Sequence, residues 1–403
     1  MEIPASTKEF ILRHREEDVR ILALKGTRDG DIDLTLALTQ IEGWQKAQGK
    51  IPTWSRTQDI IYPAHLPMEQ CSSELTALYK KEVMASSGTE HLTFADLTGG
   101  LGIDCSFVAP LYNKVEYVER QETLCQLAKH NFRVLGLKQI NVHHQDATGF
   151  LESMEPVDWI FIDPARRDKG GNKVAALADC EPNLLEIKHL LLRKARHTMV
   201  KLSPMLDITQ AVEQLGNVAS VHVVSVDNEC KELLLIMSEQ AEAKIPITCV
   251  NLFTGEMERQ TFCFSREEEQ SLSGTFAFPK SYLYEPNASL MKAGAFKSLG
   301  KHFGLDQLHP SSHLYTSDKD IDNFPGRAFL IEGASTFGKK ELKNLLAGVE
   351  KANLATRNFP IGVNELRKKL KLREGGDIYL FATTLNGGER VLLKCKANKK
   401  AGI

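Results

Sequence analysis

Four carboxylates and a cluster of glycines carry most of the chemical content of this sequence. Asp96 is followed at once by Leu97-Thr98-Gly99-Gly100-Leu101-Gly102. A turn without Cβ atoms lets the backbone pass close to a ligand, and its continuation into a helix near Asp104 offers free N–H groups. Such turns are often no more than tight strand-to-helix connections; this one is raised by the acids that follow it. Glu119 lies 23 residues after Asp96, at a spacing where an acid accepts hydrogen bonds from both hydroxyls of a ribose. Asp146 is placed to reach an adenine amino group. Asp163 opens the run Asp163-Pro164-Ala165-Arg166-Arg167. Together they describe a site for a nucleoside-like ligand.

Such residues need a scaffold that brings them to one edge. From His91, short apolar runs at 92–95, 115–118, 140–143, 157–162, 198–202, 218–226 and 233–237 alternate with helix-length segments. That rhythm predicts a mainly parallel sheet covered on both faces. The first four strands each end in or lead to a carboxylate, at the edge where open α/β sheets bind ligands. The short link between 226 and 233 predicts an antiparallel hairpin closing one edge. The fifth strand ends Lys201-Leu202-Ser203-Pro204 and brings Ser203 near the same edge, where a turn role is the simpler reading.

Ahead of the sheet, residues 1–88 read as helical, with a last helix over 73–84 containing Tyr79 and Lys80; Ser72 or Ser73 serves equally as its N-cap. Beyond residue 240 the pattern predicts a hairpin at 245–253 and 260–265 and a helix at 288–303. Strands at 328–332, 378–383 and 390–395 follow, around a helix near 339–350, with Asn386-Gly387-Gly388 as a hairpin turn. The expected division is a helical region 1–88, a sheet domain 89–240, a small α+β module of ferredoxin-like type at 241–325 and a basic module at 326–403.

Composition agrees with a folded chain of several domains: 403 residues, 42% hydrophobic and 25% charged. The N-terminus lacks an apolar leader and no run approaches about 18 apolar residues, so a cytoplasmic, membrane-free protein is expected. The eight cysteines form no C-x-x-C pair, which predicts reduced, mostly buried thiols and no metal. Residues 355–403 hold eleven Lys or Arg against four Asp or Glu, whereas the rest of the chain is net −9. One end is thus suited to something anionic; a merely solvated basic surface explains the charge as well.

On the Asp96–Gly102 segment, with Glu119, Asp146 and Asp163 at successive strand ends, residues 91–240 resemble a class I S-adenosylmethionine-dependent methyltransferase, an α/β fold with a Rossmann-like sheet. The resemblance implies S-adenosylmethionine as cofactor, held by Asp96, Thr98, Gly99, Gly100, Gly102, Glu119 and Asp146. Asp163 and Pro164 match the first two positions of a motif with which relatives methylate amino groups of bases, the carboxylate and a backbone carbonyl accepting from the target –NH₂. Ala165 and Arg166 depart from it, for an aromatic residue is missing. Arg166 and Arg167 suit a substrate phosphate, or alternatively a salt bridge to Asp168. The C-terminal module, with Arg367, Lys368 and Lys369 beside Leu366, Leu370 and Leu372, is similar to THUMP-like domains attached to a group of bacterial methyltransferases. True THUMP domains bind structured RNA. The reading implied is methylation of an exocyclic amino group of an RNA base, guanine N2 or adenine N6, in tRNA or rRNA. A catalytically degenerate RNA-binding protein and a protein or small-molecule methyltransferase are the alternatives.

Overall fold

The computed structural model describes residues 3–26, 30–88, 92–166, 177–255 and 258–398. Its residues fall into two compact units, Met1–Ala219 with Leu234–Ala241, and Ser220–Leu233 with Glu242–Ile403.

The first unit begins with the helices Ala5–His14, Val19–Lys25 and Leu34–Lys50, the last two capped by the side chains of Asp18 and Asp33. Between them and the sheet runs the buried segment Ile60-Ile61-Tyr62. Two buried amide side chains give this segment the partners a neighbouring strand would supply. Gln40 accepts from the Tyr62 N–H and donates to its carbonyl, both at 2.8 Å. Asn131 does the same for Ile61, both at 2.9 Å. Trp54, Ile51, Tyr62 and Met68 share one core with Leu101 and Ile103, so the helical region packs directly beneath the glycine turn. The last N-terminal helix, α1 (Glu74–Ala85), is capped by Ser73.

Strands β1 (Thr93–Asp96), β2 (Lys114–Glu119), β3 (Ile140–His144), β4 (Val157–Ile162) and β5 (Ala195–Leu202) form the expected parallel sheet. Their order is β5-β4-β1-β2-β3. Asp96 pairs with Tyr117 on one side and Phe161 on the other, and Ile162 pairs with Val200. All these strands therefore finish at one edge. Helices α2 (Ile103–Val108), α3 (Glu122–Val134) and α4 (Ala147–Ser153) follow β1, β2 and β3.

In the second unit, Asp227 and Asn228 link β6 (Val218–Val226) to β7 (Glu229–Met237) with φ of 48° and 62°, the backbone a two-residue hairpin requires. This hairpin does not close an edge. A further strand, β8 (Pro246–Leu252), runs parallel to β6 from Val221 to Val226, and β9 (Gln260–Ser265) pairs antiparallel with β8. The reason is visible in β6 itself: Val221, Val223 and Val224 are all buried, and a strand apolar on both faces belongs inside a sheet.

The rest of this unit contains a seven-stranded sheet of the two-residue strand Asp306–Gln307 with Tyr282–Pro286, Tyr315–Ser317, Gly326–Thr336, Asn353–Arg357, Ile378–Thr384 and Arg390–Ala397. The expected helix over 288–303 is two helices, Ala288–Ala293 and Phe296–Phe303, broken at Gly294 with φ of 75°. The expected 339–350 helix stops at Leu345, and the strand Asn353–Arg357, pairing parallel with Ile378–Thr384, went unsignalled because half-buried, unalternating residues carry no period. Among the described residues, no helix is long and apolar enough to cross a membrane, and no group of three His, Cys, Asp or Glu could hold a metal. Cys105, Cys125, Cys180, Cys249 and Cys395 are buried, and Cys263 is exposed.

Candidate active site

The three glycines after Asp96 have different work. A Cβ on Gly99 would lie 2.1 Å from the Tyr117 ring, and one on Gly102 2.7 Å from Phe132. Both are required by packing under the turn. Gly100 is the one whose Cβ would meet no neighbour closer than 3.8 Å, at a φ of 55°. It leaves open space above the turn. The Tyr117 hydroxyl donates to the Gly100 carbonyl at 2.5 Å, and Gly99 N–H bonds the Val118 carbonyl at 2.8 Å, so β2 sets the shape of the turn after β1.

Glu119 closes this arrangement. One carboxylate oxygen accepts from the Gly100 N–H at 2.9 Å and the other from the Gln121 N–H at 2.8 Å. Asp96 is only 1% exposed and accepts from the Thr98 N–H at 3.1 Å. Burial, reinforced by the nearby Asp104 and opposed by the Thr98 N–H, pushes its carboxyl well above the usual range. Asp146 is exposed and caps α4 through the Gly149 N–H at 2.9 Å, which leaves its second oxygen for another donor.

Asp163 follows β4, and its N–H donates to Thr98 Oγ1 at 2.6 Å. Thr98 thereby joins the two motifs. Pro164 is buried, and Ala165–Arg166 pairs antiparallel with Cys180–Glu181. The Arg166 side chain, Arg167 and Asp168 lie outside the described residues.

Sequence reasoning passed over the group nearest Asp163. Lys201 Nζ sits 2.5 Å from Asp163 Oδ2 and 3.2 Å from Ser72 Oγ. The register that pairs Ile162 with Val200 makes the next residues, Asp163 and Lys201, neighbours. The available signal was a lysine in the otherwise apolar Met199-Val200-Lys201-Leu202. Ser203, two residues on, accepts from the Met205 N–H at 3.3 Å as a turn residue. The choice between Ser72 and Ser73 also resolves: Ser73 caps α1, while Ser72 donates to Asp104 at 2.6 Å. Lys80, fully buried, lies 3.0 Å from Asp104. Burial alone would raise the Asp104 carboxyl; Lys80 and Lys201 overcome it and hold it below its ordinary range.

In the second unit, the helix Val363–Leu370 carries the three basic residues anticipated for a phosphate backbone. Arg367 is half-buried and donates to the Ala352 carbonyl at 3.1 Å; Lys369 pairs with Glu365 at 2.8 Å one turn away; Lys368 is exposed. Both lysines are exposed, Lys369 with its charge matched by Glu365.

Comparison with known proteins adds an independent line. A family model described as a ferredoxin-like domain matches residues 282–325, and one described as THUMP domain-like matches residues 326–397. A crystal structure of a candidate methyltransferase from Porphyromonas gingivalis W83 superposes with a TM-score of 0.86 at 34% identity, covering 97% of each chain. Two uncharacterized S-adenosylmethionine-dependent methyltransferases from strains of Mycobacterium tuberculosis are 23% identical over 295 residues, which is 73% of this chain and 77% of theirs.

Proposed function

The chain belongs to the S-adenosylmethionine-dependent methyltransferases that carry a THUMP-like C-terminal domain, and on that premise we propose that it methylates an exocyclic amino group of an RNA base. S-adenosylmethionine is its cofactor, and the residues fit that molecule. The turn at Gly100 leaves room where a Cβ would intrude, and Glu119 offers a carboxylate already oriented by two N–H donors. Asp96 stands beneath the turn where a positive group would be matched. In this reading Glu119 accepts from the ribose hydroxyls, Asp146 from the adenine amino group, and Asp96 with Thr98, Gly99 and Gly102 shapes the remaining wall. The bound cofactor supplies a sulfonium-activated methyl group.

What the chain must add is orientation. Asp163 and the Pro164 carbonyl accept from the target –NH₂ and turn its lone pair toward the methyl, with the carboxylate favouring the positive charge that develops on nitrogen. The observation that carries this reading is the Asp163 N–H to Thr98 Oγ1 bond at 2.6 Å, which ties the acceptor carboxylate to the cofactor turn. Support for RNA comes from the THUMP-like match at 326–397 and the exposed Lys368 and Lys369, with Arg166 and Arg167 as further candidates for phosphate contact. The region boundaries near residues 88, 240 and 325 belong to the same proposal, as does a cytoplasmic location.

The test is transfer of labelled methyl from S-adenosylmethionine to total cellular RNA and total cellular protein side by side. Label in an RNA nucleoside as an N-methyl base is the expected outcome. Label confined to protein would overturn the RNA reading.

A further inference from the structure

A row of alternating charges runs from inside α1 to the active edge. It starts at Lys80, which has no exposed surface and lies 3.0 Å from Asp104. Asp104 accepts from Ser72 Oγ at 2.6 Å. That hydroxyl in turn accepts from Lys80 at 3.3 Å and Lys201 at 3.2 Å. With one donor and two acceptor positions in use, the Ser72 hydroxyl is held in a single orientation. Lys201, its side chain 13% exposed, ends the row on Asp163 at 2.5 Å.

Two lysines and two aspartates in such a place are expensive. Burying Lys80 and Asp104 is costly, and well-packed apolar residues would often be at least as stable there. Stability therefore does not explain the row, whereas its end point does. Asp163 is 39% exposed, and a carboxylate that wet, left alone, would share its rotamers with solvent. A cation held by Ser72 at 3.2 Å and by Asp104 at 3.9 Å keeps it in one.

We propose that Lys201 is a positioning residue for methyl transfer, fixing the Asp163 carboxylate toward the acceptor through an anchor made by Ser72, Asp104 and Lys80. The inference rests on the role assigned to Asp163 above but not on RNA as substrate. It makes the N-terminal helix part of the active site: α1 and the residue before its cap hold, through Lys201, the carboxylate that follows β4. It also accounts for a lysine two residues before a serine of more familiar chemistry.

The experiment compares Lys201→Met, Lys201→Arg and Ser72→Ala in the full-length chain. Methyl transfer is measured to total RNA, total protein and a low-mass cell extract, alongside calorimetry with S-adenosylmethionine and a crystal structure of Lys201→Met. Lys201→Met is expected to keep cofactor affinity within about threefold and lose kcat by about 100-fold, the scale set by misplacing an orienting group. Lys201→Arg should recover part of the loss, and Ser72→Ala should lower kcat by about tenfold with the cofactor KM unchanged. In the Lys201→Met crystal the Asp163 carboxylate should leave its native position. Wild-type turnover in Lys201→Met, or an unmoved Asp163 carboxylate, would overturn the proposal. Should Lys201→Met not fold, wild-type kcat in Ser72→Ala overturns it instead. Label that enters protein or small molecules but not RNA removes the RNA reading and leaves the Lys201 comparison intact on that acceptor; if no acceptor takes label, the crystal structure decides alone.

Discussion

Glu119 and Asp163 are carboxylates at the ends of two strands that flank β1, and they are held by opposite means. Both Glu119 oxygens accept backbone N–H groups, from Gly100 and Gln121. Asp163 is held through its side chain by a lysine that depends on a serine and a second ion pair. Main-chain donors are present in any sequence that makes the turn, so the Glu119 arrangement comes with the fold. The Asp163 arrangement exists only if four particular side chains meet. In the proposed reading, the carboxylate meant for the cofactor is thus held by backbone donors, and the one meant for the acceptor is held by side chains.

The comparison can be broken most severely at Asp163. Asp163→Ala should reduce methyl transfer by about 100- to 1,000-fold, the range for losing one preorganised electrostatic partner, while calorimetric affinity for S-adenosylmethionine stays near that of the wild type. A parallel loss of affinity would erase the distinction drawn between the two carboxylates.

The anchor of the side-chain arrangement comes next. Lys80→Met takes the nearer of two cations from buried Asp104, and breaking a buried pair in this way costs about 3 kcal/mol or more. Urea unfolding should show that loss; a change under about 1 kcal/mol would mean that Asp104 finds another partner. On the cofactor side, Glu119→Ala should weaken S-adenosylmethionine binding by about 10- to 100-fold, as expected for hydrogen bonds to a charged acceptor, with little effect on kcat at saturation. Asn131→Ala, remote from both carboxylates, should cost about 2 kcal/mol by leaving the Ile61 N–H and carbonyl without partners and should leave kcat unchanged.

The smallest effect expected is in pH dependence. Burial raises the Asp96 carboxyl in the folded protein, so the fold favours its protonated form. The associated stability is fully present below the carboxyl's unfolded value and is lost as pH rises toward the folded one. Asp96→Asn should flatten that slope above the usual carboxylate range. Unfolding curves with the same slope in both proteins would show that Asp96 is ionised throughout.

Much of the fold was legible because its signals are local. Each of the five parallel strands announced itself as a short apolar run, and the Asp-Leu-Thr-Gly-Gly-Leu-Gly segment specified the turn. Where the reading failed, the missing information was non-local. The hairpin after residue 218 was assigned an edge because nothing in 218–237 announces β8 on its far side. The packing demand on Gly102 was likewise invisible, because the sequence does not show Phe132 beneath it. Ile60-Ile61-Tyr62 carried no strand signal, since its partners are the amides of Gln40 and Asn131, 22 and 70 residues away.

By itself, the sequence determined the parallel sheet, the glycine turn and the carboxylates that follow successive strands, since strand period, backbone freedom and strand-end placement are properties of neighbouring residues. Tertiary structure alone decided which cation stands beside Asp163. Ser72, Lys80, Asp104, Asp163 and Lys201 span 129 residues of chain between the outermost pair, and only the register of β4 against β5 and the packing of α1 on the turn bring them within hydrogen-bonding reach. Charge attraction acts through space, so the spacing of these residues along the chain holds no trace of the row they form.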